Sequence, residues 1–235
     1  MTSPYKFRRG LADGIPIGLG YLSVSFGVGI LASGAGMSIL QAAVTSLTNL
    51  TSAGQVAGIA VIAASGGLVE MVLTQLVINL RYSLMAISLT QKLDGSFTTL
   101  RRMLVSFAIT DEIFAVASSR DGRISPGYMY GLALIPIIGW TTGTLLGAAA
   151  GELLPAAVTS ALGLSIYGMF LAIIIPPARR STGILLAVVF GAAVSCALFY
   201  FTDISQGFSV IISAGISAAA AALLRPAEAE STDEV

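Results

Sequence analysis

Long uncharged apolar runs alternate with short polar turns over almost the whole length of this 235-residue chain. The first run is Gly14–Gly34, and it follows Lys6, Arg8, Arg9 and Asp13. Further runs occupy 66–90, the stretch around 103–119, Tyr128–Ala150, Ala156–Ile175, Gly183–Phe201 and Phe208–Leu224. A helix needs about 20 apolar residues to cross a bilayer, and most of these runs reach that length. The pattern therefore predicts an all-α, polytopic transmembrane helix bundle of about seven or eight membrane segments. The basic prefix has the form of a signal-peptide n-region, but the run behind it is long, glycine-rich and followed by further apolar spans. It reads as a retained first helix.

One stretch, 38–65, is uncharged yet is not a plain span. Asn49, Leu50, Thr51, Ser52, Ala53, Gly54 and Gln55 divide it into Ile39–Leu47 and Val56–Ala64, each too short to cross alone. A broken or re-entrant element fits. Unwound backbone at membrane depth is tolerated only where it is buried in protein or lines a cavity, and such breaks form transporter binding sites. Thr51, Ser52, Gly54 and Gln55 are accordingly candidate substrate contacts.

Charge inside the remaining runs is sparse and therefore informative. Arg81, with Asn79 two residues earlier, lies deep in the run 66–90. Its options are snorkelling to the surface, pairing with Asp111 or Glu112, or holding a carboxylate ligand with its planar fork. Asp111 and Glu112 sit side by side in the stretch Ser106–Ser118. On a continuous helix Asp111 neighbours Phe107, Ala108, Phe114 and Ala115, and Glu112 faces another way. A charge at bilayer depth costs at least ~2.5 kcal/mol, so the pair reads either as a solvated helix end or as a proton- or ion-coupling site on a translocation path.

Composition narrows the class. Charged residues are 10% of the chain and mean hydropathy is +0.89, against about 25% charged residues in soluble domains. Zero formal net charge gives no footprint for nucleic acid. The absence of histidine removes imidazole bases and most zinc sites, so neither a cofactor nor a metal is expected. Cys196 is alone, which excludes an intrachain disulfide.

Basic residues set the expected orientation. The N-terminal cluster places residues 1–13 in the cytoplasm. Arg120/Arg123, Arg179/Arg180 and Arg225 share that side if the first half crosses an even number of times. Residues 14–225 form the membrane domain, and the acidic end 226–235 reads as a disordered tail. Gly139, Gly143, Gly147 and Gly151 repeat every four residues, a signature of tight helix packing. An internal repeat (14–119 and 127–225) is hinted at by Ile15-Pro-Ile17 against Ile135-Pro-Ile137. Ala42-Ala-Val-Thr-Ser46 against Ala156-Ala-Val-Thr-Ser160 points the same way. Whether such a repeat is inverted or parallel stays open.

These motifs together resemble the AzlC family, the large subunit of bacterial branched-chain amino-acid exporters, over roughly residues 10–224. Thr110-Asp-Glu-Ile-Phe-Ala115 is similar to the family's Thr-Asp-Glu-x-Phe-Ala signature. Ser52-Ala-Gly-Gln55 stands where the family has a small-residue turn ending in Gln. Asn79-Leu-Arg-Tyr82 occupies the family's Asp-x-Arg-His position and departs from it at Asn79 and Tyr82. The resemblance implies a multi-pass inner-membrane permease that exports small aliphatic amino acids and works with a small AzlD-type membrane subunit. An intramembrane enzyme is not expected: there is no His-Glu-x-x-His, no histidine base, and no pair of carboxylates set face to face. A non-transporting assembly or regulatory subunit is the alternative.

Overall fold

The computed structural model describes residues 6–155, 157–158, 161 and 165–224. The regular secondary structure among the described residues is helical, with one isolated backbone bridge between Leu93 and Ile124. Helices α1 (Phe7–Gly34) and α7 (Pro126–Leu153) form the central pair. Small residues let them touch backbone to backbone. A Cβ on Gly10 would collide with Tyr128 O, one on Gly139 with Gly18 O, one on Gly143 with Leu22 O, and one on Gly147 with Phe26 O. The contacts climb both helices together, so the two run parallel. The glycine row therefore lies against α1 over nearly its whole length, with Gly151 reaching Ser33.

α1 begins seven residues before the uncharged run because the charges of its first turns are either exposed, as at Arg8 and Arg9, or paired, as at Asp13. Asp13 takes Arg9 Nε at 3.2 Å and Arg120 Nη2 at 2.6 Å, and Tyr128 OH donates to it at 2.8 Å. The 1–13 segment is thus part of the first helix from Phe7 onward.

After α1, Gly36 (φ +80°) turns the chain, a conformation glycine adopts freely. Ser38 and Gln41 then start α2 (Ile39–Thr48) with a reciprocal capping box, Ser38 N donating to Gln41 Oε1 at 2.8 Å. Asn49, Leu50 and Thr51 are not helical, and α3 (Ser52–Ala63) begins after them. The segment 38–65 is broken where its polar residues lie. Ala63 and Ala64 share a cavity wall with Gly34 and Ala35, so α2 and α3 return to the face they entered.

α4 (Leu68–Thr90) runs back. Its start is tied to the far end of the chain: Glu70 accepts from Ser205 Oγ at 2.5 Å and Gly207 N at 2.9 Å. Its end lies at the N-terminal face, where Lys92 Nζ donates to the carbonyls of Ser118 and, at 2.8 Å, Arg120. α5 (Thr99–Ser106) and α6 (Asp111–Ser118) then dip in from that face and return to it.

Here the sequence expectation is corrected. Ser106–Ser118 is not one helix: residues Phe107–Thr110 break it, and Asp111 and Glu112 open a new helix instead of sitting within one. Thr110 caps that helix by accepting from Ile113 N at 3.4 Å. Two acidic residues in the first turn suit the positive end of the helix dipole.

α8 (Ser165–Arg180), α9 (Thr182–Phe201) and α10 (Gln206–Leu224) complete the described chain. Five helices, α1, α4, α7, α9 and α10, are long and apolar enough to cross a membrane. α2 and α3 are apolar but shorter. The difference from seven or eight segments arises where the sequence shows continuous apolar runs but the described helices are short. Of the second Ala-Ala-Val-Thr-Ser motif only Ala157 and Val158 are described, and Arg225 with the acidic tail lies outside the described residues.

Candidate functional site

The two broken elements meet halfway along α1. Between them lies a cavity of about 630 Å³, within the range of small-molecule sites. Its walls are mostly apolar, with Ile17, Val24, Leu50, Phe170 and Ile174 among them. Its charged lining residues are Arg81, Asp111 and Glu112, beside Tyr21, Tyr82 and Ser52.

Arg81 Nη2 meets Asp111 Oδ2 at 2.8 Å, and the two side chains are 47% and 40% exposed. Both therefore remain reachable from the cavity. The guanidinium also lies 5.1 Å from the Tyr82 ring centroid, a cation–π distance, and donates to Tyr82 OH at 3.3 Å. Of the options the sequence left open, Arg81 takes the pairing with Asp111.

Glu112 turns the other way, toward α1. Tyr21 OH donates to Glu112 Oε2, and the same phenol oxygen lies 2.6 Å from Thr110 Oγ1. Tyr21 keeps its proton and directs the O–H at Glu112 Oε2 as the donor. The Tyr21 ring packs edge-on against Trp140, centroids 5.2 Å apart. From Trp140 a buried polar chain runs outward: Trp140 Nε1 donates to Gln55 Oε1 at 2.8 Å, Gln55 Nε2 to Ser46 Oγ at 2.6 Å, and Ser46 Oγ to Thr144 Oγ1 at 2.6 Å. Gln55, Ser46 and Thr144 are fully buried. The chain locks both helices of the first broken element onto α7. Unmet, each of those buried groups would cost about 1–3 kcal/mol.

Of the candidate contacts read from the sequence, Ser52, Arg81, Asp111 and Glu112 line the cavity. Gln55 stands behind the wall and holds Trp140. Thr51, Gly54 and Asn79 form a separate cluster with Asn49 and Gln75, also behind the wall. The glycines 139, 143, 147 and 151 belong to the α1–α7 contact. Tyr21, Trp140, Ser46, Thr144 and Gln75 were not singled out from the sequence. The one tryptophan of the chain, set inside the glycine row, was the available signal for Trp140; a lone tyrosine in an uncharged run gave none. Among the described residues, no group of three or more His, Cys, Asp or Glu side chains is placed to hold a metal.

Comparison with known proteins places this geometry among relatives. A family model described as AzlC protein matches residues 16–154, which take in both broken elements, α4 and α7. An uncharacterized membrane protein of Archaeoglobus fulgidus is 33% identical over 217 residues, covering 92% of this chain and 94% of its own. The inner membrane protein YgaZ of Escherichia coli is 29% identical over 201 residues, 82% of each chain. A membrane protein of Helicobacter pylori is 26% identical over 155 residues, 63% of this chain and 67% of its own. No solved structure matches the chain.

Proposed function

The chain belongs to the AzlC family, and from that premise we propose that it is the large subunit of a permease exporting small aliphatic, branched-chain amino acids. In this reading it is a carrier and not an enzyme. It resides in the bacterial inner membrane and works with a small AzlD-type membrane subunit. The observation that carries the reading is the cavity itself: an apolar chamber at mid-depth, enclosed by two broken elements, whose charged lining is one arginine and two carboxylates.

The chemistry of an amino-acid zwitterion fits that lining. Arg81 offers a planar fork to the substrate carboxylate. Asp111 occupies that fork at 2.8 Å, so substrate and Asp111 compete for one guanidinium. A proton arriving on Asp111 releases Arg81 to the substrate, and loss of that proton re-forms the pair and expels it. Glu112, held by Tyr21, faces the ammonium. The branched side chain meets Ile17, Val24, Leu50 and Phe170. Apolar walls distinguish one methylene by only ~1–3 kcal/mol, so valine, leucine and isoleucine should be poorly discriminated.

The test is efflux of labelled valine from proteoliposomes, with and without a co-purified small subunit, under an imposed pH gradient. Flux requiring both is the expected result. Absence of flux for valine, leucine, isoleucine and methionine under every gradient, with the partner present, would remove the permease reading.

A further inference from the structure

Behind the cavity wall, four polar side chains from the first break and from α4 form one network with the backbone carbonyl of Gly54. Gln75 Nε2 donates to Gly54 O at 2.7 Å, which fixes the orientation of the Gln75 amide. Gln75 Oε1 then receives Asn79 Nδ2 at 3.1 Å and Asn49 Nδ2 at 3.4 Å. Thr51 Oγ1 donates to Asn49 Oδ1 at 2.6 Å. These four bonds hold the Gln75, Asn79 and Asn49 amides and the Thr51 hydroxyl in place beside Gly54. One acceptor of the network is left over: Asn79 Oδ1 is buried and has no hydrogen-bond partner among the described residues.

Asn79 Oδ1 has two further oxygens of the network close by. A Cβ built on Gly54 would lie 2.9 Å from Gln75 Oε1 and 3.1 Å from Asn79 Oδ1, and would press on Thr51 Oγ1. Three oxygens from three side chains thus surround the space that glycine leaves open. α2 ends at Thr48, immediately before the break, and the last carbonyls of a helix lack intrahelical partners and carry its negative dipole end. Such half-helix ends with unwound backbone suit a small cation. Charge points the same way. With its carboxylates ionised, the adjoining cavity carries Asp111 and Glu112 against Arg81 alone, an excess of negative charge at membrane depth.

We propose that Thr51, Gln75 and Asn79, around Gly54, form a binding site for a monovalent metal cation, sodium by preference. Neutral hydroxyl and amide oxygens with no carboxylate among them fit a singly charged ion, since calcium and magnesium sites draw on carboxylates. The cluster does not line the cavity, so the site is distinct from the one that takes the substrate's ammonium. Its role as a coupling site rests on the permease reading; binding itself does not.

Trp140 provides a built-in reporter, because the chain's one tryptophan is hydrogen-bonded to Gln55 in the same helix as Gly54. The experiment titrates purified full-length protein in detergent with sodium chloride, replacing choline chloride at constant ionic strength, and repeats it with potassium. Trp140 fluorescence and melting temperature are read without any substrate. The expected result is a saturable sodium response, weaker with potassium. Asn79→Leu and, separately, Thr51→Val should raise the half-saturating concentration roughly tenfold or more. A wild-type protein indifferent to sodium against choline, or variants with unchanged half-saturation, would overturn the site. Sodium binding in a protein that moves no amino acid in proteoliposomes would leave the site standing and remove only the permease reading.

Discussion

Arg81 is the only basic residue described within the depth of the bundle, and its partner decides what it does. A surface-seeking arginine would leave Asp111 alone; the 2.8 Å contact instead makes each the other's compensation. Breaking one half removes a charge-assisted hydrogen bond and leaves the other charge on the cavity wall without its partner. Arg81→Gln is expected to lower valine flux at least about tenfold, the equivalent of one charge-assisted hydrogen bond. Arg81→Lys should recover only part of it, because an ammonium cannot replace a planar fork stacked on Tyr82. Flux measured at matched protein levels checks both. Asp111→Asn separates two roles. If Asp111 is the group whose protonation frees Arg81, the variant should still exchange valine for valine across the membrane but no longer respond to an imposed pH gradient. A purely packing role would reduce exchange and gradient-driven flux alike. Asp111 and Glu112 were legible as unusual from their apolar neighbours alone. Their different partners were not, because partner choice depends on where the new helix starts.

The two broken elements show what a sequence can and cannot announce. The first break was readable: six polar or small residues among the seven from Asn49 to Gln55 interrupt an apolar run, and the helix stops at Thr48 and resumes at Ser52. The second was not. Phe107, Ala108 and Ile109 are apolar, with no glycine or proline to end a helix. The break is imposed by Thr110 capping α6 and by Tyr21 reaching across from α1, a tertiary cause invisible to local pattern. The glycine row was legible as a packing face, but not which helix it would meet. That contact gives a sharp prediction. Gly147→Ala should destabilise by about 1–3 kcal/mol, since its Cβ meets the main-chain oxygen of Phe26, which cannot rotate away. Gly215→Ala, with nothing within 4 Å of its Cβ, should be neutral or slightly stabilising. Melting of the purified variants distinguishes them; equal melting temperatures would mean the two central helices lie farther apart than described.

Taken together, the elements sort the charges of the whole chain. α1 leaves the face that holds Lys6, Arg8 and Arg9, the first broken element returns to the far face, and α4 comes back. This brings Lys92, Arg101, Arg102, Arg120 and Arg123 to the N-terminal face, with Lys92 and Arg120 fixed there by Ser118 and Asp13. α9 starts beside Arg179 and Arg180 and ends at Phe201, and its last turn shares, through Phe199, a cavity with Ile30 and Gly34 at the end of α1. That sets both arginines on the N-terminal face as well. Every described basic residue other than Arg81 is then on one side, the asymmetry that orients membrane proteins with that side in the cytoplasm. The arrangement depends on α2 and α3 failing to cross, and cysteine labelling can decide it. In a Cys196→Ser background, Gly34→Cys and Gly67→Cys place thiols at opposite ends of the first broken element, at positions with open space around them. Gly95→Cys places one in the loop after α4, equally open. A membrane-impermeant maleimide added to intact cells should label Cys at 34 and at 67, and reach 95 only after permeabilisation. Were the element a single span, 34 and 67 would lie on opposite faces and label oppositely. The even number of crossings in the first half would then become odd, and the basic residues of the second half would be driven to the wrong side.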